Sequence, residues 1–156
     1  MDNPQAQIET AFAKLNEHFY NARMSSLYET EPVGGVPQDA FINAAIRVDT
    51  QMSARGLLQY LMDLEIQAHR NREVDVSNGP RTLDLDIILY GDSIISEAEL
   101  RIPHPRFRER RFVLEPMNEI APQAIDPQSN RSISQLLEAC TDKSWVKPLA
   151  EERLAV

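Results

Sequence analysis

The chain has 156 residues, a formal net charge of −8, 42% hydrophobic residues and a single cysteine. That is the size of one compact domain with enough apolar side chain to bury a core, so composition argues against a disordered chain. No apolar run reaches the roughly 18 residues that span a bilayer, and the acidic balance argues against a general nucleic-acid binder, whose affinity rests on a net basic face. Cys140 stands alone, with no Cys or His neighbour at zinc spacing, and residues 1–7 lack the basic and apolar regions of a signal peptide. The expected compartment is therefore a reducing cytoplasm.

In chain order, Asn3 and Pro4 mark a helix start, and Ile8, Phe12, Leu15 and Phe19 recur at spacings that line one helical face. Residues 24–30 and 41–49 read as strands, separated by 31–38, where Pro32, Gly34, Gly35 and Pro37 forbid regular pairing. Ser53 can cap a second helix that carries Leu57, Leu58, Leu61, Leu64 and Glu65 and ends near Arg70. The period then changes: over residues 83–90 side chains alternate between faces, which predicts a strand closed by Gly91 and Asp92. A segment 104–111 follows, then a short helix over 112–120 and another over 132–140. No repeat or linker interrupts the chain, so residues 1–156 read as a single domain. The order helix, strand, strand, helix, strand is that of a ferredoxin-like α+β sandwich with an antiparallel sheet, its first strand missing.

Charge is segregated along this chain. Lysines are few (Lys14, Lys143, Lys147), whereas Arg70, Arg72, Arg81, Arg101, Arg106, Arg108, Arg110 and Arg111 crowd the middle. The planar guanidinium fork suits phosphate oxygens, so the bias points to a small polyanionic ligand; the competing reading is a solvated face with scattered ion pairs. Asp84 and Asp86, two apart on a strand, share one face, and paired carboxylates there can hold one or two divalent cations while Leu83, Leu85 and Ile87 fill the core behind. The alternative is an edge strand with a polar outer face, against which the depletion of Asp in strands counts. Gly79 and Pro80 set a turn that brings Arg81 to this spot, either toward phosphate or into an ion pair with Asp84. Arg70 and Arg72 read equally as phosphate contacts or as a solvated helix end. His104 sits between Pro103 and Pro105, so its ring is either aimed, as a donor to a phosphate oxygen, or structural; His18 and His69, on helices, read as structural. Walker A, Gly-rich dinucleotide and His-Glu-x-x-His patterns are absent from the sequence.

The run Gly79-Pro80-Arg81-Thr82-Leu83-Asp84-Leu85-Asp86-Ile87-Ile88-Leu89-Tyr90-Gly91, with Ile102-Pro103-His104-Pro105-Arg106 and Arg110-Arg111-Phe112-Val113-Leu114-Glu115-Pro116, closely resembles the 6-hydroxymethyl-7,8-dihydropterin pyrophosphokinases of folate synthesis. Residues 25–33 and 41–45 resemble that family too. The resemblance implies transfer of pyrophosphate from ATP to the pterin hydroxymethyl oxygen, releasing AMP, on a ferredoxin-like fold with two magnesium ions (Mg2+). A monomer is expected, and composition implies no nucleic-acid or membrane partner. It makes Arg70, Arg72, Arg81, Asp84 and Asp86 the catalytic set, with both metals on Asp84 and Asp86. ATP would meet Glu65, Arg70, Arg72, Arg81, His104 and Arg110, with Ile87, Leu100 and Ile102 around the adenine. The pterin would lie among Thr30, Val33, Phe41, Asn43 and Phe112. Loops 31–38 and 70–78 would close over both substrates and exclude water.

Two departures from that family stand out. Asn78 replaces the Trp that many members carry before Gly-Pro-Arg. The family also begins with a core strand ending in Gly-Ser-Asn, whereas this chain opens at Met1-Asp2-Asn3-Pro4, so Met1 is expected to be an internal methionine of a longer chain. A non-catalytic nucleotide- or partner-binding relative, inactivated by loss of that strand, is the competing functional reading.

Overall fold

The computed structural model describes residues 4–31, 41–70 and 83–149. Helix α1 (Pro4–His18) begins with proline at its first position, where a missing N–H costs nothing, and buries Ala11 and Leu15. Phe19, expected on the helical stripe, lies just past the helix end and is buried all the same. The expected hairpin is present but longer and interrupted. Strand β1 (Tyr20–Met24) pairs antiparallel with β4 (Ile46–Asp49), and β2 (Tyr28–Thr30) with β3 (Phe41–Asn43). Between the two ladders the Ser25 amide donates to the Ala45 carbonyl, and the Ala45 amide donates to Ser25 Oγ at 2.9 Å, so both amides at the break find an acceptor. Pairing therefore starts four residues before the expected 24–30, with a register shift near Asn21, whose φ of 53° is one that asparagine tolerates.

Ser53 caps α2 (Ala54–Arg70) as its sequence position implies: Oγ accepts from the Gly56 amide at 3.0 Å. Leu57, Leu61 and Leu64, at helical spacing, meet Leu15 and Phe19 of α1 in one buried cluster, against which Ile46, Val48, Leu85 and Ile87 pack. A second cluster holds Phe107, Leu114, Ile133 and Leu136, joining a 3-10 turn (Phe107–Glu109) to α3 (Arg111–Ile120) and α4 (Ile133–Ala139). A third gathers Ala54, Leu100 and Ile102. Glu119, near the end of α3, ties that helix to the hairpin: its carboxylate accepts from the Ser26 amide at 3.0 Å and from the Tyr28 hydroxyl at 2.7 Å.

Residues 83–90 correct the sequence reading. They do not form a ladder strand among the described residues, although the alternation that predicted one is present: Leu83 is buried, Asp84 and Asp86 are exposed, Leu85 and Ile87 half-buried. Side chains rather than a ladder hold this segment. Leu85 and Ile87 enter the α1–α2 cluster, Ile88 and Leu89 enter the α3–α4 cluster, and Tyr90 donates its hydroxyl to the Met52 carbonyl. Two backbone bonds add to this, from Leu85 N–H to Glu65 and from His104 N–H to the Ile88 carbonyl.

Five short strands were not anticipated. Strands β5 (Ile95–Glu97) and β6 (Leu100–Ile102) form a hairpin, as do β7 (Ile125–Asp126) and β8 (Arg131–Ser132), and β9 (Val146–Pro148) adds antiparallel to β2. Two or three residues carry too little alternation to be read from sequence. The two C-terminal helices were legible, the last with Ser132 as a capping-box residue rather than as its first turn. Among the described residues the chain is thus a mixed α and β fold with four α-helices and antiparallel strands, none of the helices long and apolar enough to cross a membrane.

Candidate active site

A cleft of about 1400 Å³ opens between the hairpin and the extended 83–90 segment, floored by α1 and α2 and closed at one end by the turn that leads into α3. Its lining brings together Asp84, Asp86, Ile87, His104 and Arg110 with Thr30, Phe41, Asn43 and Phe112. Elements far apart in sequence thus meet at one place.

The acidic end is built on the 83–90 segment. Asp84 and Asp86 are both exposed and two residues apart on extended backbone, so their carboxylates stand on one face. The peptide between them is clamped from α2, because Glu65 Oε2 accepts the Leu85 N–H at 2.6 Å. Burial raises the Glu65 carboxyl above its ordinary range; the Leu85 bond opposes that rise and the charges of Asp84 and Asp86 add to it. No group of three or more His, Cys, Asp or Glu gathers at metal-binding distance among the described residues. A two-carboxylate set still fits magnesium, which takes one or two carboxylates and completes its shell with water and substrate phosphate.

His104 is aimed by its own backbone. Its amide donates to the Ile88 carbonyl at 3.0 Å, and its Nδ1 accepts the Arg106 amide at 3.3 Å. With Nδ1 accepting, the neutral ring carries its proton on Nε2, the atom left to face a ligand. Burial lowers the imidazole pKa; Asp86 opposes the shift, and Arg110 and Arg106 reinforce it. The ring is therefore a neutral hydrogen-bond donor at pH 7.

The arginines of the 106–111 turn, one crowd in the sequence, separate in space. Arg106 lies 3.9 Å from Glu109 on the surface. Arg108 forks onto buried Asp126, with Nη2 to Oδ1 at 2.8 Å. Arg111 donates to Glu115 at 2.9 Å and to the Asp142 carbonyl at 3.0 Å. Arg110 alone of the four has no carboxylate partner among the described residues; its guanidinium stands 5.7 Å from the Phe112 ring centroid, at the cleft. Asp126 and Asp142, 18 and 31 residues from the arginines they hold, carry no signal in the sequence that marks them.

Beside the arginine lies an apolar and amide-lined part of the cleft. Thr30, 2% exposed, accepts Asn43 Nδ2 on Oγ1 at 2.8 Å, which fixes the amide of Asn43 between the strands. Phe41 and Phe112 are half-buried beside it. Aromatic faces with a fixed amide suit a planar heterocycle that carries its own donors and acceptors.

Several expected residues fall elsewhere. Leu100 and Ile102 are 5% and 1% exposed in the third core cluster and are not among the cleft-lining side chains. Arg70 is the final residue of α2. Val33, Arg72 and Arg81, with Asn78 and most of loops 31–38 and 70–78, lie outside the described residues.

Comparison with known proteins gives the cleft a family. The family model described as 7,8-dihydro-6-hydroxymethylpterin-pyrophosphokinase matches residues 1–122. A 2-amino-4-hydroxy-6-hydroxymethyldihydropteridine pyrophosphokinase of Synechocystis sp. is 43% identical over 128 residues, covering 82% of this chain and 64% of that protein. Proteins of the same name from Pseudomonas aeruginosa and Bacillus subtilis are 37% and 40% identical, over 88% and 76% of this chain and 84% and 71% of their own lengths. This chain thus spans a little under two thirds of the Synechocystis relative and more of the other two. With the match running through the hairpin, the acidic segment and the arginine turn alike, the chain belongs to the 7,8-dihydro-6-hydroxymethylpterin-pyrophosphokinase family.

Proposed function

We propose that this chain transfers the pyrophosphate of ATP to the hydroxymethyl oxygen of 6-hydroxymethyl-7,8-dihydropterin in folate biosynthesis. The pterin oxygen bonds to the β-phosphorus, the bond from that phosphorus to the α,β-bridging oxygen breaks, and AMP leaves with that oxygen; the hydroxyl proton goes to solvent. The observation that carries this reading is the convergence on one cleft of Asp84, Asp86, His104 and Arg110, which has no carboxylate partner among the described residues, with Asn43 and two phenylalanines.

Phosphoryl-type transfer asks a protein mainly for positioning and charge stabilisation, so a site with no obvious general base suffices. Asp84 and Asp86 would hold the two magnesium ions, which would supply charge neutralisation for the phosphates. Nε2–H of His104 and the guanidinium of Arg110 donate to phosphate oxygens, and Glu65 holds the backbone between the two aspartates. Phe112 and Phe41 sandwich the heterocycle while Asn43 pairs with its polar edge. Arg70, Arg72 and Arg81 complete the phosphate contacts in this reading, with Val33 beside the pterin.

We assign the fold finely as a ferredoxin-like sandwich. The antiparallel ladders of the hairpin and the packing of α1 and α2 against β4 support this assignment.

The test is AMP formation from ATP and the pterin with Mg2+, run on this chain. The expected result is AMP formation, abolished by D84N and D86N together. If the chain folds and binds MgATP yet makes no AMP, the catalytic reading fails and a non-catalytic nucleotide-binding role replaces it.

A further inference from the structure

The carboxylate of Asp126 is fully buried, 0% exposed, and links the β7–β8 turn to the 3-10 turn through Arg108. Both oxygens receive the Arg108 fork, and the Ser129 hydroxyl and Gln128 amide fill the remaining positions at 2.7 and 3.1 Å. Arg108 in turn lies over the Phe107 ring at 4.7 Å, and Phe107 is the fully buried anchor of the 3-10 turn. That turn is one hydrogen-bonded unit: Phe107 N–H reaches the His104 carbonyl, Glu109 N–H the Arg106 carbonyl, and Arg110 N–H the Phe107 carbonyl. The two residues that face the cleft, His104 and Arg110, are therefore its two ends. Their outer sides are tied by backbone, His104 N–H to the Ile88 carbonyl and the Arg110 carbonyl to the Val113 and Leu114 amides, and the middle of the turn sets how the two ends stand relative to each other.

We propose that Asp126 is a positioning residue for the phosphate end of the cleft: through Arg108 it holds the 104–110 turn so that His104 and Arg110 reach one ligand together. The inference rests on the reading of the cleft given above, and its physical basis is geometric. A bidentate pair fixes both the distance and the plane of the guanidinium, which a single hydrogen bond or a lysine does not. Misplacement of contacting groups by about 1 Å is enough to cost a large factor in binding or rate.

The variant D126N keeps the size and packing of the side chain and removes its charge. On the full chain, D126N is expected to raise KM for MgATP roughly tenfold. The dissociation constant of a non-hydrolysable MgATP analogue is expected to rise alike, with KM for the pterin within twofold. A side chain that merely supports the fold would lower Vmax in proportion to the folded fraction, read by circular dichroism, and leave KM for MgATP unchanged; that result overturns the proposal. Should D126N fail to fold, R108K keeps the charge but loses the fork, and the same expected and overturning results apply to it. A wild-type protein that binds no MgATP analogue overturns the reading of the cleft and this proposal with it, whereas a wild type that binds while both variants match it overturns the positioning role alone.

Discussion

Replacing Arg110 by alanine separates a ligand-binding arginine from a structural one, because its three neighbours provide internal controls. Removing Arg108 or Arg111 would strand a carboxylate: Asp126 is wholly buried, and Glu115 is half-buried. Removing Arg110 strands none among the described residues and forfeits only its contact with Phe112, so the fold should change by no more than about 0.5 kcal/mol. Its effect on activity is then free of unfolding. A charge-assisted hydrogen bond to a phosphate oxygen contributes roughly 1.5–3 kcal/mol, which at about 1.4 kcal/mol per decade is about a 10- to 150-fold loss in kcat/KM for MgATP. R106A is the matched control. Its ion pair with Glu109 is exposed and 3.9 Å long, so stability and activity should both stay near wild type. The assay is AMP release at varied MgATP with saturating pterin, alongside thermal unfolding of each variant. A fall confined to kcat would place the contact in the transition state, and one confined to KM would make it uniform binding. The reasoning is refuted if R110A stays within threefold of wild type, or if R106A loses as much.

Three other outcomes follow from particular contacts. The Asp126 carboxyl is held down at about 2, from an ordinary 3.8, first by the Arg108 hydrogen bonds against the effect of burial, then by Ser129 and Gln128. A depressed folded pKa stabilises above the unfolded value and is lost as pH falls through the folded one, so about 2 kcal/mol present at pH 6 should vanish toward pH 2. Urea unfolding of wild type and D126N at both pH values measures this, and a gap that stays constant would contradict it. T30V removes the acceptor that fixes Asn43 and should raise KM for the pterin roughly three- to tenfold with KM for MgATP unchanged; equal effects on both substrates would count against Asn43 as a pterin contact. L61A, at an 8% exposed site between α1 and α2, should cost about 3 kcal/mol, seen as a melting point lower by about 10 °C, with cold activity retained.

How much of this was legible beforehand varies by element. Helices α1 and α2 and the hairpin are written in apolar spacing and in one cap, Ser53, and the structure keeps them with shifts of a few residues at their ends. Residues 83–90 show the limit of such reading. Their alternation is real and does divide the side chains between core and solvent, yet alternation specifies faces and not a ladder partner. The pairs β5–β6 and β7–β8 were invisible because two- and three-residue strands have no period to detect.

The chemistry divides in the same way. Asp84 and Asp86 declare themselves because two like charges two residues apart need a reason, and His104 because prolines flank it. Sequence alone also established the family resemblance, since its motifs are contiguous runs whose residue order is the signal. Which arginine of the 106–111 turn has no carboxylate partner among the described residues, why Leu100 and Ile102 belong to the core, and that Asp126 and Asp142 hold their arginines were decided only by tertiary structure. Those pairings span 18 and 31 residues, and a carboxylate's partner at that range is set by how the chain packs rather than by any local spacing.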